Sequence, residues 1–226
     1  MYIALPSPSS ASTGRPGALQ ALADALGVRV ERDLQGASPQ APALPGGALT
    51  PETIAAAIAA TLPEQAIVVD EAVTTGRAFG AAMNAAAPHD WLQGMGGAIG
   101  YGLPCAVGAA IGAPGRPVLA MEGDGSAMYT LQALWTMARE SLPIVVVVFA
   151  NRAYRILQGE LKGVGAEISG QKATDMLTLD RPFLDWVALA QGHGVPGVRV
   201  DEAGALVQAL QRGYASRAPC LIEVLL

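Results

Sequence analysis

The chain divides by the spacing of its apolar positions. Four short stretches are apolar almost without interruption: AIVVD at 66–70, PVLAMEGDG at 117–125, PIVVVVFAN at 143–151 and PCLIEVLL at 219–226, with a shorter VRV at 198–200. Runs of this length without in–out alternation predict strands buried on both faces. Between them lie segments that read as helices: TPETIAAAIAATL (50–62), AMYTLQALWTMARE (127–140), PFLDWVALAQGHG (182–194) and DEAGALVQALQRGYAS (201–216). EAVTTGRAFGAAMNAA (71–86) reads as a turn plus a helix, and WLQGMGGAIGYGLPCAVGAAIGA (91–113) as a glycine-rich loop running into a small-residue helix. Thr50 suits the N-cap of the first helix, and Pro51 its first position, where a missing N–H costs nothing. Asp201 suits the cap of the last helix, and residues 154–180 read as irregular. Strands alternating with helices predict an α/β domain over residues 49–226: a doubly wound parallel sheet with helices on both faces. Ligands of such sheets bind beyond the carboxyl ends of the strands.

Residues 1–48 differ. They are rich in Pro, Ser, Ala and Gly, with one short helix in ALQALADALG (18–27), one short strand in VRVERD (28–33) and a linker in QGASPQAPALPGGA (35–48). This segment is too small for a core of its own and reads as a linker or the remnant of a preceding domain.

Bulk properties exclude several functions. The net charge is -5, which gives no basic footprint for nucleic acid. No stretch reaches the roughly 18 apolar residues of a membrane span, and the N-terminus lacks the basic start and apolar run of a signal peptide. Two cysteines, Cys105 and Cys220, form no disulfide framework and fit a reducing, cytoplasmic setting. Charged residues are only 15% of the chain and apolar residues 51%. A chain with so little polar surface is expected to cover part of it with another domain or subunit.

The chemistry gathers at two predicted strand ends. Gly123 and Gly125 let the backbone approach a ligand closely, and Asp124 between them supplies a hard oxygen. Gly125 and Ser126 lead into a helix start, a ready anion site. An acid beside an anion site is a contradiction unless a cation lies between. The economical reading is Mg²⁺ bridging Asp124 to phosphate oxygens, with Asn151 adding a neutral oxygen from the neighbouring strand end. Alone, GDG is a tight turn and a post-strand Asn a cap; together, after neighbouring strands, they point to a site. GMGGAIG (94–100) does not have dinucleotide-loop spacing, because position 99 is isoleucine. His89 and His193 read as surface-loop residues, Trp91, Trp135 and Trp186 as core or interface anchors, and Glu71 as a solvated or capping group.

GDGSAMYTLQALWTMARESLPIVVVVFAN (123–151) resembles the thiamin-diphosphate motif, GDG followed by some two dozen residues and a closing NN. IGYGLPCAVGAAIGA and ANRAYRILQGELKGVGA extend the resemblance over about residues 50–226, to the pyrophosphate-binding domain of the acetolactate synthase and benzoylformate decarboxylase-like family. The resemblance implies Asp124, Asn151 and the Ala153 carbonyl as metal ligands. It places Gly123, Gly125, Ser126, Tyr154 and Thr74 at the diphosphate, and the Gly97 carbonyl at the aminopyrimidine. Ile99 would bend the cofactor into its V shape, and Leu157 would face the substrate. The family's NN is here Ala150-Asn151, which keeps the ligating Asn.

The same resemblance implies a missing half. The family's acid–base glutamate lies in a separate pyrimidine-binding domain, and nothing before residue 50 suits that domain. The chain is expected to be part of a split or longer enzyme, a homo- or hetero-oligomer acting on a 2-oxo acid by decarboxylation or carboligation, and to turn over negligibly alone. The alternatives are a non-catalytic diphosphate-binding module and a regulatory paralogue.

Overall fold

The computed structural model describes residues 21–27, 42–165 and 170–226. Contacts divide the chain into two units, Met1–Ser38 and Pro39–Leu226. In the first, residues 21–25 are helical, within the predicted ALQALADALG helix; the VRVERD segment lies outside the described residues.

The second unit is built on six strands: β1 (Ala66–Glu71), β2 (His89–Gln93), β3 (Val118–Gly123), β4 (Ile144–Ala150), β5 (Gly197–Val200) and β6 (Cys220–Leu225). Their order is β2-β1-β3-β4-β6-β5, and every pairing is parallel. From β1 the chain first moves outward to β2, then returns to place β3 on the other side. The direction of winding therefore reverses between β1 and β3, and a crevice opens at their carboxyl ends.

Period-two alternation sends side chains to two cores. Val145, Val147 and Phe149 of β4 face one core with Val68, Leu119, Met121 and Ile222. Helices α1 (Pro51–Thr61), α2 (Phe79–Met83) and, later in the chain, one at Ala203–Ser216 cover that face. Ile144, Val146 and Val148 face the other core, with α3 (Gly102–Gly112), α5 (Ala133–Arg139) and α8 (Trp186–Gly192). The remaining helices are α4 (Asp124–Ala127), α6 (Arg155–Gly163) and α7 (Gln171–Met176), and Ala203–Ser216 is α9. Each fully buried Val, Leu, Ile or Phe contributes about 1.5–3 kcal/mol, so the continuous apolar strands hold the sheet between its helices.

Local signals explain most elements. Thr50 caps α1: its hydroxyl accepts the Thr53 N–H at 3.2 Å, while the Thr53 hydroxyl accepts the Thr50 N–H at 2.8 Å. Four expectations need correction. HDWLQ forms β2, an edge strand whose five residues are all half-buried or exposed, so it carries no apolar run. AMYTLQALWTMARE is not one helix; a turn separates α4 from α5, and there the Thr130 hydroxyl donates to the Gly100 carbonyl. Residues 154–180 are not wholly irregular: they hold α6 and α7, neither with a buried residue. The cap of α9 is Glu202, not Asp201, and it makes no side-chain cap bond. Instead the Ala203 N–H donates to the Gly47 carbonyl, and Ala48 bridges to Glu202.

Candidate functional site

The carboxyl ends of β1, β3 and β4 line one cleft. Its walls include Thr74, Ile99, Gly123, Asp124, Gly125, Ser126, Asn151, Ala153 and Tyr154. Nine of the sequence-derived positions therefore meet, although they come from four separate stretches of chain. Gly97 lies in an adjoining depression that shares Glu71, Ala72 and Val73 with the first cleft. Leu157 stands on α6, 47% exposed and outside both linings; its neighbour Ile156 lines the cleft instead.

Asp124 opens α4 directly after β3 and is 3% exposed. Its Oδ1 accepts the Gly125 N–H at 3.0 Å, and its Oδ2 accepts the Arg152 N–H at 2.6 Å. Arg152 follows β4 with φ at 56°, a backbone turn that aims this N–H back across the cleft. The two strand ends are thereby tied through the carboxylate. Burial pushes the Asp124 pKa up to about 6, against the opposing pull of the Arg152 and Gly125 N–H groups and the Arg155 charge. Asn151 Oδ1 accepts the Ala153 N–H at 3.0 Å, which orients the amide beside the same cleft.

Gly125 shows how close the backbone lies to its neighbours: a Cβ there would sit 2.4 Å from the Tyr154 ring. The Ser126 hydroxyl is committed to Gly123, donating to its carbonyl at 3.1 Å and accepting its N–H at 3.2 Å. Ile99 projects from the loop between β2 and α3, 39% exposed, and adds an apolar side chain to the cleft wall.

At the inner end of the cleft lies a group of acids, of which sequence reasoning singled out only Glu71, as a solvated or capping group. Glu71 is 3% exposed, not solvated, and accepts the N–H groups of Gly100 and Gly102. Glu122 is fully buried, and neither of its oxygens has a hydrogen-bond partner among the described residues. Burial first, and then the Glu71 charge, hold its carboxyl well above the usual range. Asp70, also raised by burial, accepts the Ala72 N–H at 3.0 Å. The Tyr101 hydroxyl donates to the Asp70 carbonyl and accepts the Gly94 N–H, and burial pushes its pKa up to about 12.

The other sequence candidates lie outside the cleft linings. His89 begins β2 and His193 caps α8, each ring in contact with a backbone carbonyl. Trp186 is core, Trp91 is half-buried, and Trp135 is 53% exposed beneath Arg139. Both cysteines are free.

No group of three His, Cys, Asp or Glu side chains that could hold a metal occurs among the described residues. The cleft offers a different donor set: one buried carboxylate, one amide oxygen and the carbonyl-rich turn that follows β4. Such a set fits a hard cation that takes its other ligands from a phosphate group.

The model of the thiamine pyrophosphate enzyme C-terminal TPP-binding domain matches residues 71–224. The chain belongs to this family. A Mycobacterium tuberculosis protein named as the acetolactate synthase large subunit IlvX is 48% identical to it, over 93% of this chain and 41% of that protein. Benzoylformate decarboxylase of Pseudomonas aeruginosa is 37% identical over 85% of the chain and 36% of its own length. Among solved structures, the thiamine diphosphate-dependent 4-hydroxybenzoylformate decarboxylase of Rhodococcus jostii RHA1 superposes with a TM-score of 0.68 at 34% identity. It covers 81% of this chain and 33% of that one. The chain thus spans less than half the length of each of these relatives. The six-stranded parallel sheet is the fold of the family's TPP-binding domain, and thiamin diphosphate is the family's cofactor.

Proposed function

We propose that the chain is the thiamin-diphosphate- and Mg²⁺-binding part of an enzyme acting on 2-oxo acids, by decarboxylation or carboligation. The observation that carries this reading is the meeting of Asp124, Asn151, Ala153 and Ile99 at one cleft on the sheet's switch point. Asp124, Asn151 Oδ1 and the Ala153 carbonyl would hold Mg²⁺. Gly123, Gly125, Ser126, Tyr154 and Thr74 would hold the diphosphate. The Gly97 carbonyl would receive the aminopyrimidine, Ile99 would support the ring half of the cofactor, and Leu157, on α6 outside the cleft lining, would face a substrate that extends beyond the cleft. When bound, the cofactor supplies the electron sink that lets a bond beside a 2-oxo group break or form.

The described residues of this chain bind and orient, and among them none is assigned as the acid–base group for the ring. That group is a glutamate from a pyrimidine-binding domain, in another subunit or another part of a longer chain, within a homo- or hetero-oligomer. Exposed Val73, Ile99, Met128 and Tyr129 form apolar surface on the segments that follow β1, β2 and β3, suited to such cover. The free cysteines suit a cytoplasmic setting, and among the described residues no helix is long and apolar enough to cross a membrane.

The test is turnover of phenylglyoxylate and of pyruvate, with thiamin diphosphate and Mg²⁺. The chain is assayed alone and with the pyrimidine-domain polypeptide encoded beside it or upstream in the same reading frame. Loss of an acid–base group lowers rates about 10²–10⁴-fold, so the expected result is turnover only in the mixture or the longer chain. Equal, negligible turnover in both would favour a non-catalytic paralogue.

A further inference from the structure

The loop at 94–102, GMGGAIGYG, carries both Gly97 and Ile99. Five of its nine residues are glycine, and Gly96, Gly97 and Gly100 have positive φ. Such a backbone has little order of its own and loses much entropy when fixed. Yet a cofactor ring can be bent only against a side chain that stays in place.

What fixes the loop is the end of β1. Glu71 spends both carboxylate oxygens on it: Oε1 accepts the Gly100 N–H, and Oε2 accepts the Gly102 N–H at 2.6 Å. These amides flank Tyr101, and that of Gly100 immediately follows Ile99. The Tyr101 hydroxyl adds a tie between Gly94 and Asp70, and the Thr130 hydroxyl holds the Gly100 carbonyl at 3.0 Å. At Gly94, Gly100 and Gly102 the fit leaves no space for a side chain. A Cβ at Gly102 would lie 2.1 Å from Glu122 Oε1 and 2.7 Å from Glu71 Oε2, and one at Gly94 would lie 2.4 Å from the Tyr101 ring. Glu71 and Glu122 together form a buried floor onto which the loop backbone is drawn.

We propose that Glu71 is a positioning residue for the ring half of the cofactor: its carboxylate fixes the 94–102 loop in the ligand-free chain, so that Ile99 and the Gly97 carbonyl meet the rings already in place. Preorganisation of this kind raises affinity by removing the ordering cost from the binding step. The diphosphate half is held mainly by the ends of β3 and β4, with Thr74 from the segment after β1, and makes no use of the Glu71 carboxylate. The inference deepens the cofactor reading above and rests on it.

The test compares the full chain with Glu71→Gln, which keeps the shape but can accept only one of the two N–H groups. Calorimetry with Mg²⁺ uses two probes, thiamin diphosphate and inorganic pyrophosphate. Amide hydrogen exchange is followed in the ligand-free proteins. Losing a hydrogen bond to a charged group changes an equilibrium about tenfold or more. The expected result is at least about tenfold weaker thiamin diphosphate binding in Glu71→Gln, pyrophosphate binding within about twofold of the parent, and about tenfold faster exchange at Gly100 and Gly102 with β1 and β3 amides unchanged. Unchanged thiamin diphosphate affinity, or unchanged exchange at Gly100 and Gly102, would overturn the proposal. Equal loss for both probes, or faster exchange throughout the sheet, would also overturn it, because Glu71 would then support the whole edge. If the parent chain binds neither probe, the cofactor reading falls, and the exchange data still judge the loop.

Discussion

Strand β4 and the cleft at its end are a few residues apart and are built on opposite principles. From Ile144 to Ala150 every residue is buried and apolar, and ladder bonds to β3 and β6 run along both sides. One step further, the chain turns through Asn151 and Arg152 onto a group of buried acids: Asp124, with Asp70, Glu71 and Glu122 behind it. The strand gains stability at each position. The edge buries acids, at a cost that shows in the raised pKa values of Asp124 and Glu122 and that a bound cation would help offset at Asp124. Their adjacency separates the two tasks: the sheet fixes positions, and its carboxyl edge carries the chemistry.

The largest effect that would sharpen this contrast is expected in the core. Phe149→Ala removes a fully buried ring packed on Phe79, with centroids 5.6 Å apart, and should destabilise the chain by about 3–5 kcal/mol in denaturant melts. Asp124→Asn should cost far less stability. With a folded pKa near 6 against about 3.9 in an unfolded chain, the buried carboxylate lowers stability at pH 7.5 by roughly 2–3 kcal/mol. The amide removes that cost but can accept only one of the Gly125 and Arg152 N–H groups, so the two effects should offset to within about 1–2 kcal/mol, while metal-dependent cofactor binding is abolished. A variant that loses both stability and binding would break the distinction between scaffold and edge.

The pH dependence follows with a definite sign. A raised folded pKa means the Asp124 contribution is fully present below about pH 4 and lost as pH rises through 6. The ligand-free chain should therefore gain stability from Asp124 on acidification from pH 7.5 to 5. Metal-dependent binding should weaken over the same range, by about tenfold per pH unit below 6, because the cation must displace a proton. Melting and calorimetry at matched pH values check the opposing slopes. The smallest effect is expected far from the cleft. Thr50→Ala breaks the capping box of α1 and should cost about 1 kcal/mol with cofactor affinity unchanged.

The sequence announces these two regions unequally. The core strands are legible because burial on both faces leaves an unbroken apolar run, as in PIVVVVFAN. Asp124 and Asn151 are legible because GDG and a post-strand Asn, set at that spacing, bear the resemblance to a known motif. The burial of Glu71 and Glu122 is not, because their surroundings are made by a loop that returns from 29 and 31 positions further on in the case of Glu71. Edge strand β2 escapes for another reason: it buries too little of itself to leave an apolar run. Helix α9 takes its first backbone partner from Gly47, a tertiary contact that no local cap residue announces.

The most direct test of the cleft as a metal-bridged diphosphate site is calorimetric titration of the purified chain with thiamin diphosphate, with and without Mg²⁺, repeated on Asp124→Ala. The expected result is saturable binding that requires Mg²⁺ and disappears in the variant. Binding that persists unchanged without the metal, or in Asp124→Ala, would contradict it.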